Sequence, residues 1–484
     1  MKAGEGMKRM YIGGEWRESE TNEGLPIRNP ANQEVIAEVP RGRKEDVEQA
    51  VGMARDTFES EEWQAFPPDE RGRVLNEVAS KIRRDAEEIA KLETMDTGKP
   101  ISQGRNDAEA AARYFEYYAG MADKILGETI PIQANILDYT VREPVGVTAH
   151  IIPWNYPIQI TSRSTAAAIA TGNTVVVKPA EDTPLTGLKL AELMEETSLP
   201  KGVFNVVTGY GREAGDALVH HPDVNHITFT GSVQTGMAVM EAASKNVIPI
   251  TLELGGKSPN IVFKDSILDH AADWVVKSVI QNAGQTCSAG SRLLVEEDVK
   301  EIFIDKVKSR MLSLKIGHGL EDPDLGPVLS RKQFERIETF LNVARKEQAI
   351  FLTGGERALV EGCEAGYFLQ PTMIDQLDPH SQVAQEEIFG PVLSVFSFQN
   401  EEEAIKLAND TPYGLVTGVW TENVGRAHRV AKKIRSGQVF INNYGAGGGI
   451  QMPFGGYKKS GFGREKGLEA LRNYTTLKNV ALKM

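Results

Sequence analysis

The sequence predicts an α/β fold: a doubly wound parallel sheet followed by a second α/β domain. Three observations carry that prediction. Between about residues 145 and 255, short β-rich runs alternate with segments of helical length, the pattern of parallel strands joined through helices. Each of those runs ends directly in a polar or glycine-rich punctuation. A further α/β region extends from about 258 to 460, and 484 residues are too many for a single core.

The elements follow in chain order. Residues 44–122 read as helical, with Val74-Leu75, Val78-Ala79 and Ile82 recurring on one face. Strands are expected over 147–152, 174–177, 204–207, 226–229 and 248–252, where β-branched residues concentrate, with helices over 185–196 and 233–243. Tyr139 to Glu143 alternates as a strand does. No repeat or low-complexity linker interrupts the chain, and the glycine-rich run 445–449 is short enough to be a loop.

Composition excludes several classes. A net charge of −13 argues against nucleic acid as a main partner. No apolar run approaches the roughly 20 residues of a membrane span, and the N-terminus lacks the apolar core of a secretory signal. Two cysteines make no disulfide framework, which points to a reducing cytoplasm. Eight histidines without ligand spacing leave no expected metal site.

In an open parallel sheet, ligands bind beyond the carboxyl ends of the strands. Here those ends read Pro153-Trp154-Asn155-Tyr156-Pro157, Lys178-Pro179-Ala180-Glu181, Thr208-Gly209-Tyr210-Gly211, Thr230-Gly231-Ser232 and Glu253-Leu254-Gly255-Gly256-Lys257. Glycines at 209, 211, 231 and 236 would admit a pyrophosphate to backbone N–H groups, although no complete G-x-G-x-x-G is present. Glu181 could hold the ribose hydroxyls and repel a 2′-phosphate, which favours NAD over NADP; a solvated turn is the plainer reading of Lys178 and Glu181. Cys287 lies in Gly284-Gln285-Thr286-Cys287-Ser288, among small and amide side chains, a setting that suits a nucleophilic thiolate near N–H donors as well as a small buried residue. An ion pair with Lys257 is the plain alternative for Glu253.

Together the motifs resemble the NAD(P)-dependent, non-acylating aldehyde dehydrogenase superfamily. Those motifs are Pro153 to Pro157, Lys178 to Glu181, Phe229 to Ser232, Leu252 to Lys257, Gly284 to Cys287, Glu386 to Pro391 and Pro453 to Lys458. The resemblance spans essentially the whole chain. It implies a Rossmann-like NAD-binding domain (1–123 and 144–255), an α/β catalytic domain (256–460) and a small β oligomerisation flap (124–143 with 461–484), assembled as a homodimer or homotetramer. Cys287 would attack an aldehyde to form a thiohemiacetal. The Asn155 amide and the Cys287 N–H would hold the oxyanion, and Glu253 would activate the water that hydrolyses the thioester. Lys178 would contact the cofactor and assist proton transfer. The other expected cofactor residues are Ile152, Pro153, Trp154, Glu181, Gly211, Gly231, Ser232, Leu254, Glu387 and Phe389.

The substrate pocket is expected to comprise Tyr156, Arg163, Tyr444 and Phe454. Arg163 stands where relatives often carry an aromatic residue. It resembles the carboxylate-binding Arg of the branch that oxidises succinate semialdehyde, although the second basic residue of that branch is Gln281 here. An acidic semialdehyde is therefore one expectation, and a broad range of aliphatic and aromatic aldehydes is the other. A helix-bracing role is equally open to Arg163, and Cys363 matches no motif. Glu253 weighs against acyl transfer to a thiol or phosphate, the lack of a nearby His against the phosphorylating type, the five strand endings against a cysteine hydrolase, and the intact Cys287, Glu253 and Asn155 against a structural protein.

Overall fold

The computed structural model describes residues 7–445 and 449–484. Ala446, Gly447 and Gly448, within the glycine-rich run expected as a loop, lie outside the described residues.

The first sheet has eight strands. Its centre is parallel, with Ile250–Glu253, His226–Thr230, Val147–Ile151, Thr174–Lys178 and Phe204–Val206 side by side. These strands are buried on both faces, which is why they read as apolar runs without alternation. The chain proceeds outward from Val147–Ile151 to Phe204–Val206, then returns to place His226–Thr230 on the other side of the first strand. The strand order thus reverses between Val147–Ile151 and His226–Thr230, the point where an open sheet leaves a crevice.

Antiparallel strands close both edges. Met10–Ile12 and Glu15–Arg17 extend the sheet beyond Phe204–Val206, through Tyr11 opposite Val206. Gly461–Phe462 pairs with Leu252–Glu253 at the other edge. The 461–484 segment is therefore divided, because its first two residues join the cofactor sheet.

The helical stretch resolves into Lys44–Glu59, Glu61–Gln64, Pro68–Arg84, Ala86–Thr97 and Ile101–Ala119. Pro68–Arg84 shows why such segments are helices. It begins with Pro, carries Asp69 and Glu70 in its first turn and Lys81, Arg83 and Arg84 in its last, matching the helix dipole at both ends.

The second sheet has seven strands, in the order Ile350–Thr353, Thr372–Asp375, Val392–Phe398, Arg292–Glu296, Pro259–Val262, Val416–Trp420 and Gln438–Ile441. All are parallel except the first. A third sheet pairs Thr475–Lys483 with Ile136–Pro144 in continuous antiparallel register, from Thr475 opposite Pro144 to Lys483 opposite Ile136. Among the described residues, no helix is long and apolar enough to cross a membrane.

Candidate active site

The link between the two large sheets sets the site. Strand Ile250–Glu253 ends at the carboxyl rim of the first sheet, and residues 254–258 lead straight into the amino end of Pro259–Val262 in the second. The carboxyl rim of one sheet therefore faces the amino rim of the other. Cys287 lies on that amino rim, between helix Leu268–Ile280 and strand Arg292–Glu296. Gly256 meets it there, so close that a Cβ would come within 2.4 Å of the Cys287 carbonyl oxygen.

The segment before Cys287 is unusual. Asn282, Ala283 and Gly284 have φ of 49°, 54° and 73°, three consecutive left-handed residues. Only Gly adopts this region at no steric cost, and a Cβ on Gly284 would lie 2.2 Å from the Gly390 carbonyl carbon. Polar contacts hold the turn. Asn282 N–H donates to Gln103 Oε1 at 3.0 Å, and its side chain donates to the Asn155 carbonyl at 2.9 Å. Gln285 Oε1 accepts from Leu329 N–H at 2.9 Å.

Two phenols grip the peptide on either side of the thiol. Tyr156 Oη and Thr286 Oγ1 are 2.8 Å apart, and Tyr444 Oη donates to the Ser288 carbonyl at 2.7 Å. Cys287 itself is half-buried. Asn155 Nδ2 donates to the Gln285 carbonyl at 2.9 Å, and an amide nitrogen carries a second N–H. Burial pushes the Cys287 thiol up to about 12; Glu387 and Glu253 add to this, while Arg163 and the Ser288 N–H oppose it. The expected stabilisation of the thiolate is therefore outweighed by desolvation.

Glu253 is buried, and neither carboxylate oxygen has a hydrogen-bond partner among the described residues. Burial and the neighbouring Glu465 hold its carboxyl well above the usual range, against Arg163, Arg464 and Lys466. The ion pair with Lys257 is not formed, since Lys257 Nζ is buried without a hydrogen-bond partner and burial brings it down to about 7.

The expected cofactor residues line the crevice. Lys178 Nζ sits 3.0 Å from Glu181 Oε2, so the turn is an ion pair at the rim with its carboxylate partly exposed. Burial pulls the Lys178 ammonium down, against Glu181. Burial also acts on Glu181, yet Lys178 and the Gly211 N–H together hold its carboxyl below its ordinary value. Gly211 opens a short helical turn, and Ser232 caps helix Val233–Lys245 by accepting from Thr235 N–H. Ile152 N–H donates to the Lys178 carbonyl, Gly231 N–H to Glu253, and Leu254 N–H to Ser460, which ties adjacent strand ends together.

Across the crevice stands the second domain. Phe389, at φ 61°, meets Trp154 edge-to-face at 5.2 Å. Glu387 Oε1 accepts from Gly256 N–H at 3.0 Å, and burial raises its carboxyl to about 7. Pro153, at the start of the same turn, is half-buried beside Trp154.

For Arg163, substrate contact and helix bracing were equally open, and the structure shows its contacts within the chain. Its guanidinium is buried in an ion pair with Glu465, donates to Thr230 Oγ1 and lies over the Phe454 ring. Sequence reasoning did not single out Glu465, because Gly463-Arg464-Glu465-Lys466-Gly467 reads as a solvated charged turn. It also passed over Lys99, whose ammonium is buried between Glu93 (3.1 Å) and Asp107 (2.5 Å) and lies 4.2 Å from the Tyr156 ring centroid. Glu93 and Asp107 come from two successive helices and Lys99 from the turn between them, so no single periodicity brings them together. Cys363 packs in a small cluster with Ala31, Ala358 and Phe368.

The aldehyde dehydrogenase family profile matches residues 16–480. The chain belongs to the aldehyde dehydrogenase family. Betaine aldehyde dehydrogenase of Bacillus subtilis is 44% identical over 97% of this chain and 96% of its own. The NAD+ complex of an aldehyde dehydrogenase from Bacillus cereus superposes with a TM-score of 0.97, at 42% identity, covering 99% of this chain and 97% of that one. A point mutant of betaine aldehyde dehydrogenase from Staphylococcus aureus, in complex with NAD+ and with a BME-modified cysteine, superposes at 0.96 with 42% identity, covering 98% and 97%. Within this family the match includes both sheets, the flap and the Cys287 segment. Among the described residues, no group of three or more His, Cys, Asp or Glu could hold a metal ion.

Proposed function

We propose that Cys287 and Glu253 carry the two halves of one reaction, the NAD-dependent oxidation of an aldehyde to a carboxylic acid. The protein is an NAD-dependent aldehyde dehydrogenase. The observation that carries the assignment of roles is the meeting of a thiol from one sheet with an unpartnered, buried carboxylate from the other.

The donor set of the crevice fits NAD. Glu181 offers an acceptor for a ribose diol and a like charge against a 2′-phosphate, with Lys178 and the Gly211 N–H holding it in place. The start of helix Val233–Lys245, just after Gly231 and Ser232, presents backbone N–H groups to a pyrophosphate. Trp154, Leu254, Glu387 and Phe389 would flank the nicotinamide end.

As Cys287 Sγ bonds to the aldehyde carbon its thiol proton passes to water, and the Asn155 side-chain amide and the Cys287 N–H donate to the resulting oxyanion. Each such donor contributes about 2.7–4 kcal/mol to lowering the barrier. NAD bound in the crevice supplies the acceptor for the hydride that leaves this carbon, which remains on Cys287 as a thioester. Glu253 then takes a proton from the attacking water, and the acid departs with Cys287 restored. Lys178 orients the cofactor. Tyr156, Tyr444 and Phe454 form an apolar wall, and with Arg163 neutralised by Glu465 the pocket favours the broad aliphatic and aromatic range over acidic semialdehydes.

The domains act as NAD-binding (1–123 and 144–255, joined by 461–462), catalytic (256–460) and oligomerising (124–143 with the C-terminal strand Thr475–Lys483) units. Leu137, Leu477 and Leu482 on the flap sheet are exposed, a surface that a second copy would cover in a dimer or tetramer. The two free thiols support a cytoplasmic location. The direct test is Cys287→Ala: NAD reduction disappears with every aldehyde, and turnover at the unsubstituted rate rejects the assignment.

A further inference from the structure

Arg163 and Glu465 are 5% and 1% exposed, and their side chains meet in an ion pair. Arg163 comes from helix Pro157–Ala170, which begins just after Asn155 and Tyr156. It also donates to Thr230 Oγ1 at 3.3 Å and lies over the Phe454 ring at 5.5 Å. Each contact leads to the lodging of Glu253. Thr230 is the parallel sheet partner of Glu253. Phe454 and Glu465 exchange backbone hydrogen bonds of 2.6 and 2.7 Å. Gly455, next to Phe454, lies so near that a Cβ there would be 2.9 Å from Glu253 Oε1.

A buried ion pair is weak evidence of stabilisation, because desolvation offsets its Coulomb attraction. Its effect falls instead on the third charged group beside it. We propose that Arg163 is a positioning residue for thioester hydrolysis: it holds Glu465 ionised against the Phe454–Gly455 turn, sets the charge beside Glu253, and does not grip a substrate carboxylate. This inference rests on Glu253 being the base.

The groups facing this cluster are Arg464, Glu465 and Lys466 from the C-terminal segment, Tyr114 and Tyr118 from helix Ile101–Ala119, Tyr474, and Cys287 from the nucleophile loop. Removing the Arg163 cation leaves two neighbouring carboxyls that keep their protons to higher pH. Removing the Glu465 charge leaves Glu253 beside an unpaired cation, so it gives up its proton at lower pH.

The test is kcat against pH with propionaldehyde and with succinate semialdehyde, together with the NADH burst, for the unsubstituted enzyme, Arg163→Met, Glu465→Gln and the double variant. Arg163→Met should move the acid limb up by about one pH unit with both aldehydes, a roughly tenfold loss on the limb, with the burst retained. Glu465→Gln should move it down, and the double variant should fall between. An unmoved limb in Glu465→Gln, shifts in the same direction for both single variants, or a loss confined to succinate semialdehyde overturns the proposal. Should Arg163→Met not fold, Glu465→Gln and the double variant, which removes both charges, decide it. A limb that survives in Glu253→Gln rejects the base assignment itself, and the role of Arg163 with it.

Discussion

At the scale of single residues, the site works by restraint more than by activation. Tyr156 and Tyr444 fix the peptide on both sides of Cys287, while burial keeps its proton on. With the thiol near 12, alkylation of the free enzyme by iodoacetamide should rise about tenfold per pH unit from pH 7 to 10. Glu387→Gln, which removes the carboxylate that most opposes ionisation of the thiol, should speed it severalfold at pH 9; a plateau by pH 8 contradicts this view of the thiol. Cys287 itself was legible in its segment of small and amide residues. Its clamps were not, because the two tyrosines lie 130 and 156 residues away from their partners. Arg163 shows the complementary limit. The residue type pointed to a carboxylate, and the carboxylate it meets belongs to the chain's own Glu465.

At the scale of elements, the strand endings were legible because a parallel strand buried on both faces must stop where polar chemistry begins. The five expected strands form with their ends shifted by no more than two residues. The N-terminal strands at the sheet edge were not anticipated, since three-residue segments carry too little periodicity to read. The left-handed run 282–284 is the element on which the nucleophile depends. Gly284→Ala forces a Cβ against the Gly390 backbone, and should destabilise the protein by at least about 2 kcal/mol and depress turnover. Denaturant midpoint and activity measured on the same preparation check this; an unchanged midpoint with full activity refutes the strain at this position. The Lys99, Glu93 and Asp107 cluster beneath Tyr156 escaped the sequence for a physical reason. Helical spacing identifies a face but not whether another helix covers it.

At the scale of the whole molecule, the reaction is divided between two sheets joined by five residues, 254–258. The first sheet carries Glu253, the proposed base, and Glu181, the proposed ribose acceptor, at its carboxyl rim, and the second carries the Cys287 thiol at its amino rim. The facing of the two rims required the fold, since nothing in the spacing of Glu253 and Cys287 states it. On the proposed role of the flap in assembly, Leu477→Asp on its exposed edge should shift the sedimenting species toward monomer, and an unchanged sedimentation coefficient would remove the flap from the interface. The central claim is that thiol and base act in successive steps. Stopped-flow NADH formation by Glu253→Gln, paired with intact mass of the quenched enzyme, tests it most directly. The expected result is a burst near one NADH per site, an acyl adduct on Cys287, and a steady-state rate lowered about 10²–10⁴-fold. A steady-state rate equal to that of the unsubstituted enzyme, or a variant with no burst and no adduct, would contradict it.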